Sequence, residues 1–545
     1  MSRRRWNTER SLEENRNPRK NPGLNLDADF LVIGSGFGGA VSALRLAEKG
    51  YRVVVLEQGR RYHTEDFPRT NWTLRKYIWL PRLGLHGIQV LTFLRHALVL
   101  HGRGVGGGSL VYANTLIEPR SEVFEQPEWG DGAWRERLRP HYAEARRMLG
   151  AVRCAGVGRT DELLRETGIE LRGHDTFHVH DVGVFFGEPG ATVPDPFFGG
   201  AGPPRTGCTR CGACMIGCSV GAKNTLDKNY LWLAERLGVR IVPETEALGI
   251  RRTAEGYAVE TRRSTGLWRG RRTWRARRVV VSGGVIGTTK LLLRSRARGW
   301  LPGLSPQLGR FVRTNSESIL AAESNDRDGD WIDHVAITSG IEADERTHIE
   351  MVRFNKGSDA LFWLITPLTD GGGRVPRPLR LVAGILRRPA RFLHALQPFG
   401  RAARTAIVLA MQATSGHLDL EYRRRWWQLG RPALGSRLPA GQERPVSCIP
   451  VANEVTRRVA AKMNGTPWNT WPEVLYGAPT TAHILGGCRI GASPEKGVVD
   501  ARGEAYGCPG LYVVDGSVVP VNLGVNPSLT ITALAEYMMA RMPPA

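Results

Sequence analysis

The chain has 545 residues, with 75 Lys+Arg against 52 Asp+Glu for a formal charge of +23. A hydrophobic share of 41% beside 23% charged residues excludes wholesale disorder, and the length allows two to four domains. Eight cysteines are too few to build a fold on disulfides.

Residues 1–26 read as a solvated basic arm with no apolar segment behind its arginines, so no secretory or twin-arginine leader is expected. The run Phe30-Leu31-Val32-Ile33 then reads as a strand, Gly34-Ser35-Gly36-Phe37-Gly38-Gly39 as a turn, and Ala40 to Lys49 as a helix. A second apolar run, Val53 to Leu56, ends at Glu57. This is a βαβ unit with G-x-G-x-x-G after its first strand, the pattern that holds a dinucleotide. Gly34 permits the tight turn, Gly36 lets backbone N–H groups reach a pyrophosphate, and Gly39 lets helix and strand approach. Glu57 stands where a carboxylate accepts ribose hydroxyls. The stretch Tyr77 to Leu100 is apolar but carries Arg82, His86, Arg95 and His96, which argues against a membrane span. We therefore expect a cytoplasmic protein.

Further along, Gly102 to Ser109 is dense in glycine, which lets chain lie flat against a planar ligand. The cysteines Cys208, Cys211, Cys214 and Cys218 follow C-x2-C-x2-C-x3-C, the spacing of ferredoxin-type [4Fe–4S] ligands. No proline follows Cys218 and no second run exists, so zinc and a metal-free structural segment stay open. Cys154, Cys448, Cys488 and Cys508 lack ligand spacing and are expected to pack as small apolar residues. Val279-Val280-Val281 repeats the strand-to-glycine theme at Gly283-Gly284, followed by a helical Thr288–Arg294. Between Arg377 and Arg404, arginines interleave with leucines around Pro389, either a solvated helix or a face for an anionic membrane. Leu511 to Val514, Asp515-Gly516 and a helix over Ser528–Arg541 make a third such unit, with Pro527 expected in that helix's first turn. Three units so far apart predict one sheet assembled from distant pieces. The arginines show no aromatic-interleaved patch, so no nucleic-acid partner is expected.

The pieces VIGSGFGGA (32–40), GRGVGGGSLVYANTL (102–116), GAKNTLDKNYL (221–231), VAITSGI with THIEMVRFNKGSDA (335–360), HILGGC (483–488) and YVVDGSVVPVNLGVNPSLTITALAE (512–536) resemble the glucose–methanol–choline (GMC) family of FAD oxidoreductases, and within it the cholesterol oxidase branch. The resemblance implies an α/β fold: a Rossmann-like FAD-binding domain from 27–120, 208–315 and 475–545, and a substrate-binding domain containing a β-sheet from 121–207 and 316–474. It implies FAD contacts at Gly34, Gly36, Gly39, Glu57, Gly106, Gly107, Gly108, Ser109, Asn114, Ala247, Gly284, Asp515, Gly516, Asn526 and Pro527. The start of the last helix suits a reduced flavin, which carries negative charge. His483 resembles the family's active-site histidine, with Ile484 where proline is frequent, and Asn526 its paired asparagine. Glu350 is the candidate for the carboxylate that moves a proton in double-bond isomerisation, with Glu342 competing. The implied reaction is oxidation of a bulky apolar secondary alcohol, a 3β-hydroxysteroid above all, with dioxygen or an electron carrier as final acceptor. A carrier-linked dehydrogenase of long-chain, terpenoid or polycyclic alcohols using an iron–sulfur cluster is the alternative.

Overall fold

The computed structural model describes residues 26–266, 268–327, 329–424 and 432–545. Nearly all of the N-terminal basic arm, 1–25, lies outside the described residues.

The first sheet runs Arg240–Val242, Val53–Leu56, Ala28–Ile33, Arg271–Val281, Gly256–Arg263 and Thr245–Thr253, and Leu511–Val513 joins the end of Arg271–Val281. Its left half and Leu511–Val513 are parallel, as βαβ crossovers require; Gly256–Arg263 and Thr245–Thr253 form an antiparallel meander. Where these strands run side by side, Phe30–Ile33, Val53–Leu56, Val279–Val281 and Leu511–Val513 are continuous apolar, buried runs, as a parallel sheet covered on both faces requires. The three strand-to-glycine units thus meet in one sheet, and their glycines make the meeting possible. A Cβ on Gly34 would fall 2.2 Å from Ser282 O, and one on Gly38 1.7 Å from Val514 O. The Ser282 hydroxyl donates to Val514 O at 2.6 Å, tying the second unit to the third.

The second sheet is antiparallel, ordered Ile365–Pro367, Gly465–Thr470, Ser318–Ser324, Thr405–Gln412, Thr347–Val352, Ser339–Glu342 and His178–Val179. Alternation decides what each face does. Ile349, Met351, Val408 and Ala410 pack under the helix Pro450–Lys462, while Val352, Leu409 and Met411 turn to the other side, toward the first sheet.

Two segments depart from the sequence reading of the second domain. The helix Trp134–Leu149 packs Leu138, Tyr142 and Met148 into the first sheet's core, and Tyr142 pairs its hydroxyl with Thr530 Oγ1 at 2.9 Å. Its apolar stripe matches the C-terminal helix Ser528–Ala540, and no local signal says which neighbour such a stripe will choose. The hairpin Asp419–Arg424 with Pro432–Arg437 likewise packs Leu420 and Leu434 on Val285 and Ile286.

Candidate active site

A cavity of about 370 Å³ runs between the two sheets. One end is lined by the glycine turn, Glu57 and Gln58; the middle by Gly107, Gly108, Ala247 and Gly284; the far end by His483, Asp515, Gly516, Asn526 and Pro527. Beyond these the lining turns apolar, with Met215, Ile337, Val352, Phe354, Leu361 and Leu409. The cofactor set implied by the sequence is therefore gathered, with exceptions. Gly39 lies off the cavity, where a Cβ would strike Gly34 O at 2.0 Å, so its role is helix–strand packing. Gly106, Ser109 and Asn114 do not line it either: Ser109 donates to Gly106 O at 2.7 Å and accepts from Leu226 N at 3.0 Å, which fixes the loop instead. Pro527 caps the last helix from one residue outside its first turn, and its carbonyl accepts from Ile531 N at 2.9 Å.

The cradle suits a dinucleotide. Gly36 has nothing closer to a would-be Cβ than Gly107 Cα at 4.0 Å, so the open side of the turn faces the cavity. Glu57 accepts from Ser35 N at 3.0 Å, Ser35 Oγ at 2.7 Å and Gly59 N at 2.8 Å. A carboxylate offers about four acceptor positions, so little is left for a ribose hydroxyl, and Glu57 also serves to brace the turn. The Asp515 carboxyl accepts from Thr288 Oγ1 at 2.5 Å and from Ser517 N at 2.8 Å, and burial raises its pKa.

At the far end, His483 follows the strand Thr480–Thr481 and is steadied by Thr481 Oγ1, which accepts from its backbone N at 3.0 Å. Its Nδ1 pairs with Glu317 Oε1, and the other Glu317 oxygen accepts from Ala482 N at 2.8 Å. Burial pulls the imidazole's pKa down, but the Glu317 carboxylate, with Glu350 farther off, outweighs it and the net direction is up. Glu317 is delivered by two successive left-handed residues, Asn315 at φ 56° and Ser316 at φ 46°. The Asn315 side chain donates to Val525 O at 3.1 Å and accepts from Gly524 N at 2.9 Å, so one bend sets both the histidine's partner and the loop carrying Asn526. Nothing in the local sequence marks Glu317, 166 residues ahead of its histidine. The only hint is the Asn-Ser pair, since asparagine is enriched in left-handed backbone.

Asn526 Nδ2 lies 3.4 Å from His483 Nε2 and donates to Glu350 Oε2 at 3.2 Å, while its Oδ1 is buried without a partner. Both side chains line the cavity, so the imidazole and the amide are the polar pair nearest a ligand hydroxyl there. Glu350 is fully buried and does not line the cavity; Asn526 stands between. The carboxylate expected to act on substrate thus meets Asn526 directly and the cavity only beyond it. Its rival Glu342 sits farther out, accepting from His348 Nδ1 at 3.0 Å beside Arg120. Burial opposes a proton on His348, but the flanking Glu342 and Glu350 carboxylates raise its pKa to about 9. His101, also in the wall, is pushed down to about 3 by burial and by Arg103, so it stays neutral.

The four-cysteine run closes on a second, small cavity lined by Cys208, Cys211, Cys214 and Cys218. Arg210 N and Ala336 N donate to Cys208 Sγ at 3.4 Å and Cys214 Sγ at 3.5 Å. Cys154, Cys488 and Cys508 are buried, Cys154 with its Sγ 3.6 Å from His334 Nδ1; Cys448 is half-buried and accepts from Gly371 N at 3.3 Å.

Family models described as GMC oxidoreductase match residues 204–300 and 403–535, and one for an NAD(P)-binding Rossmann-like domain matches 32–71. A cholesterol oxidase of Mycobacterium tuberculosis is 48% identical over 532 residues, covering 95% of this chain and 91% of that protein. A cholesterol oxidase of Acinetobacter baumannii is 43% identical, covering 95% of each. Among solved structures, pyridoxine 4-oxidase from Mesorbium loti superposes with a TM-score of 0.61 at 15% identity, covering 94% of this chain and 99% of that one.

Proposed function

The chain belongs to the GMC oxidoreductase family, whose members carry FAD, and from that premise we propose that it oxidises a 3β-hydroxysteroid at the hydroxyl-bearing carbon. The observation that carries this reading is that His483 and Asn526, 3.4 Å apart through Nε2 and Nδ2, stand together in the wall where the glycine-lined half of the cavity meets its apolar end. The glycine-lined half of the cavity would hold FAD, which would supply the hydride acceptor, with dioxygen as the final electron acceptor. The protein's own share begins with burial of the sterol rings against Ile337, Val352, Phe354 and Leu409, which excludes water from the reacting carbon. The Asn526 amide fixes the hydroxyl's direction. His483 Nε2 takes the hydroxyl proton, and Glu317 stabilises the imidazolium that results. Anaerobic addition of a 3β-hydroxysterol to the purified yellow protein tests this. The flavin absorbance should bleach, and an unchanged spectrum with every 3β-hydroxysterol would refute the substrate assignment.

Entry of such a substrate fits the exposed face of the helices Arg377–Arg387 and Pro389–Ala395. Leu379, Val382, Leu386 and Leu393 point outward among arginines, and Ala395 packs in the cluster that holds cavity-lining Tyr77 and Phe354. Among the described residues no helix is long and apolar enough to cross a membrane. We propose that this face rests on an anionic lipid surface. Flotation with anionic vesicles should be lost at high salt and in Leu386→Glu.

The finer cofactor reading concerns the cysteine cavity. Among the described residues no three of these sulfurs lie within 4.8 Å of one another. A tetrahedral ion with bonds of about 2.3 Å would need them under about 4 Å apart. We carry the iron–sulfur reading only as far as the C-x2-C-x2-C-x3-C spacing and the lining of one cavity by all four cysteines; that cavity, about 10 Å³, has no room for a cluster with the loop as it stands. Iron and acid-labile sulfide in equal amounts on anaerobically purified protein would support it; neither element above background would remove it.

A further inference from the structure

The second sheet carries, one layer behind Asn526, a group of side chains that the reaction above does not use. Strand register builds it. Gly340 pairs with His178 on one side and with Glu350 on the other, so these three stand in one row. His348 lies two residues before Glu350 and His180 two after His178, on the same face. The row is made for rings: a Cβ on residue 340 would come within 2.6 Å of His348 Cε1 and 2.9 Å of His180 Nε2.

The three imidazoles form a nearly even triangle, with ring centroids 5.0, 5.3 and 5.5 Å apart, and each offers a nitrogen within 4.8 Å of the others. Rings bound to one ion through bonds of about 2.1 Å have their centroids roughly 5 Å apart. Two of the three are already oriented from outside. His178 Nδ1 donates to Thr176 O at 3.2 Å and His348 Nδ1 pairs with Glu342 Oε1 at 3.0 Å, which leaves the two Nε2 atoms free to bind. Such outer partners are how ligand histidines are held. Glu350 Oε1 lies 3.4 Å from both His348 Nε2 and His180 Nδ1. Those three atoms are buried, and none completes a hydrogen bond. Buried polar atoms without a hydrogen-bond partner are where a bound ligand is to be sought.

We propose that His178, His180 and His348 bind one divalent first-row transition-metal ion. Three imidazoles suit zinc, iron or manganese, whereas calcium and magnesium take oxygen donors. Glu350 stands beside two of these rings as their counter-charge, and its other oxygen accepts from Asn526, so the ion would act on the active site only through that carboxylate and the amide it holds.

Metal analysis of the FAD-loaded protein tests this without reference to any substrate. After dialysis against Zn²⁺, and separately Mn²⁺ or anaerobic Fe²⁺, and desalting, about one tightly held ion per flavin is expected from at least one of them, beyond any iron at the cysteines. His180→Ala should lower that by about one ion per flavin while keeping its flavin, and Glu342→Gln should weaken binding ~10- to 100-fold. Should His180→Ala fail to fold, His178→Gln at the half-buried position takes its place. Wild type that retains under a tenth of such an ion with all three metals, or a ligand variant that binds as much as wild type, overturns the proposal.

Discussion

Glu317 decides what His483 can do. Without it, burial would leave a weakly basic imidazole; with it, the proton affinity rises and a proton taken from substrate has a counter-charge. In the substrate-free enzyme His483 must be unprotonated to accept that proton, so kcat/KM should climb as pH rises through its pKa. Glu317→Gln removes the carboxylate and lets burial dominate, so this acid limb should move to lower pH while the plateau falls about 10²-fold. A limb that stays in place would assign it to another group. His483→Ala should retain its flavin, because the cradle lies on other residues, yet lose about 10²- to 10⁴-fold in kcat with 3β-hydroxysterol. Rapid-mixing measurements of flavin bleaching separate that loss from slow reoxidation.

Among elements, the turn from Ala28–Ile33 into the helix Phe37–Glu48 shows what sequence discloses and what it withholds. The glycine spacing assigns Gly36 to a pyrophosphate and Gly39 to helix–strand approach, and the structure leaves a Cβ on Gly36 with nothing nearer than Gly107 Cα at 4.0 Å but sets a Cβ on Gly39 against Gly34 O at 2.0 Å. Gly36→Ala should therefore fold with a melting temperature near wild type but lose flavin, read as the 450-to-280 nm absorbance ratio. Gly39→Ala should lower the melting temperature itself, since backbone must shift to admit the methyl. The convergence of the three strand-to-glycine units was legible because each carried its own local pattern. The bend at Asn315 and Ser316, the row through Gly340 and the docking of Trp134–Leu149 were not, because each depends on which distant strand or helix lies opposite. His483 and Asn526 stand out only through the family resemblance, whereas their partners Glu317 and Glu350 take their roles from tertiary contact.

For the molecule as a whole, the two sheets must close on the same cavity, and the chain leaves the second through the helix Trp471–Tyr476 and the strand Thr480–Thr481 that precedes His483. Glu473 in that helix accepts from Ser318 Oγ at 3.0 Å and Ile319 N at 2.9 Å, locking this path to the strand Ser318–Ser324. Complete burial raises its pKa from 4.5 to about 8 despite those donors and nearby Arg377. A carboxyl whose pKa is higher folded than unfolded contributes its full stability below the unfolded value and loses it as pH rises through the folded one. Glu473 should accordingly stabilise the protein most below pH 4.5 and least above pH 8, a span worth roughly a few kcal/mol. Glu473→Gln keeps the size and the hydrogen-bonding oxygen but cannot ionise, so wild type minus variant isolates the group from every other titration. That difference in unfolding free energy, taken from denaturant curves at a series of pH values, should fall steadily between pH 5 and 8 and level off beyond. A flat difference would mean that Glu473 ionises as freely inside the fold as outside it, and that this path is held together as a charged contact with Arg377 instead.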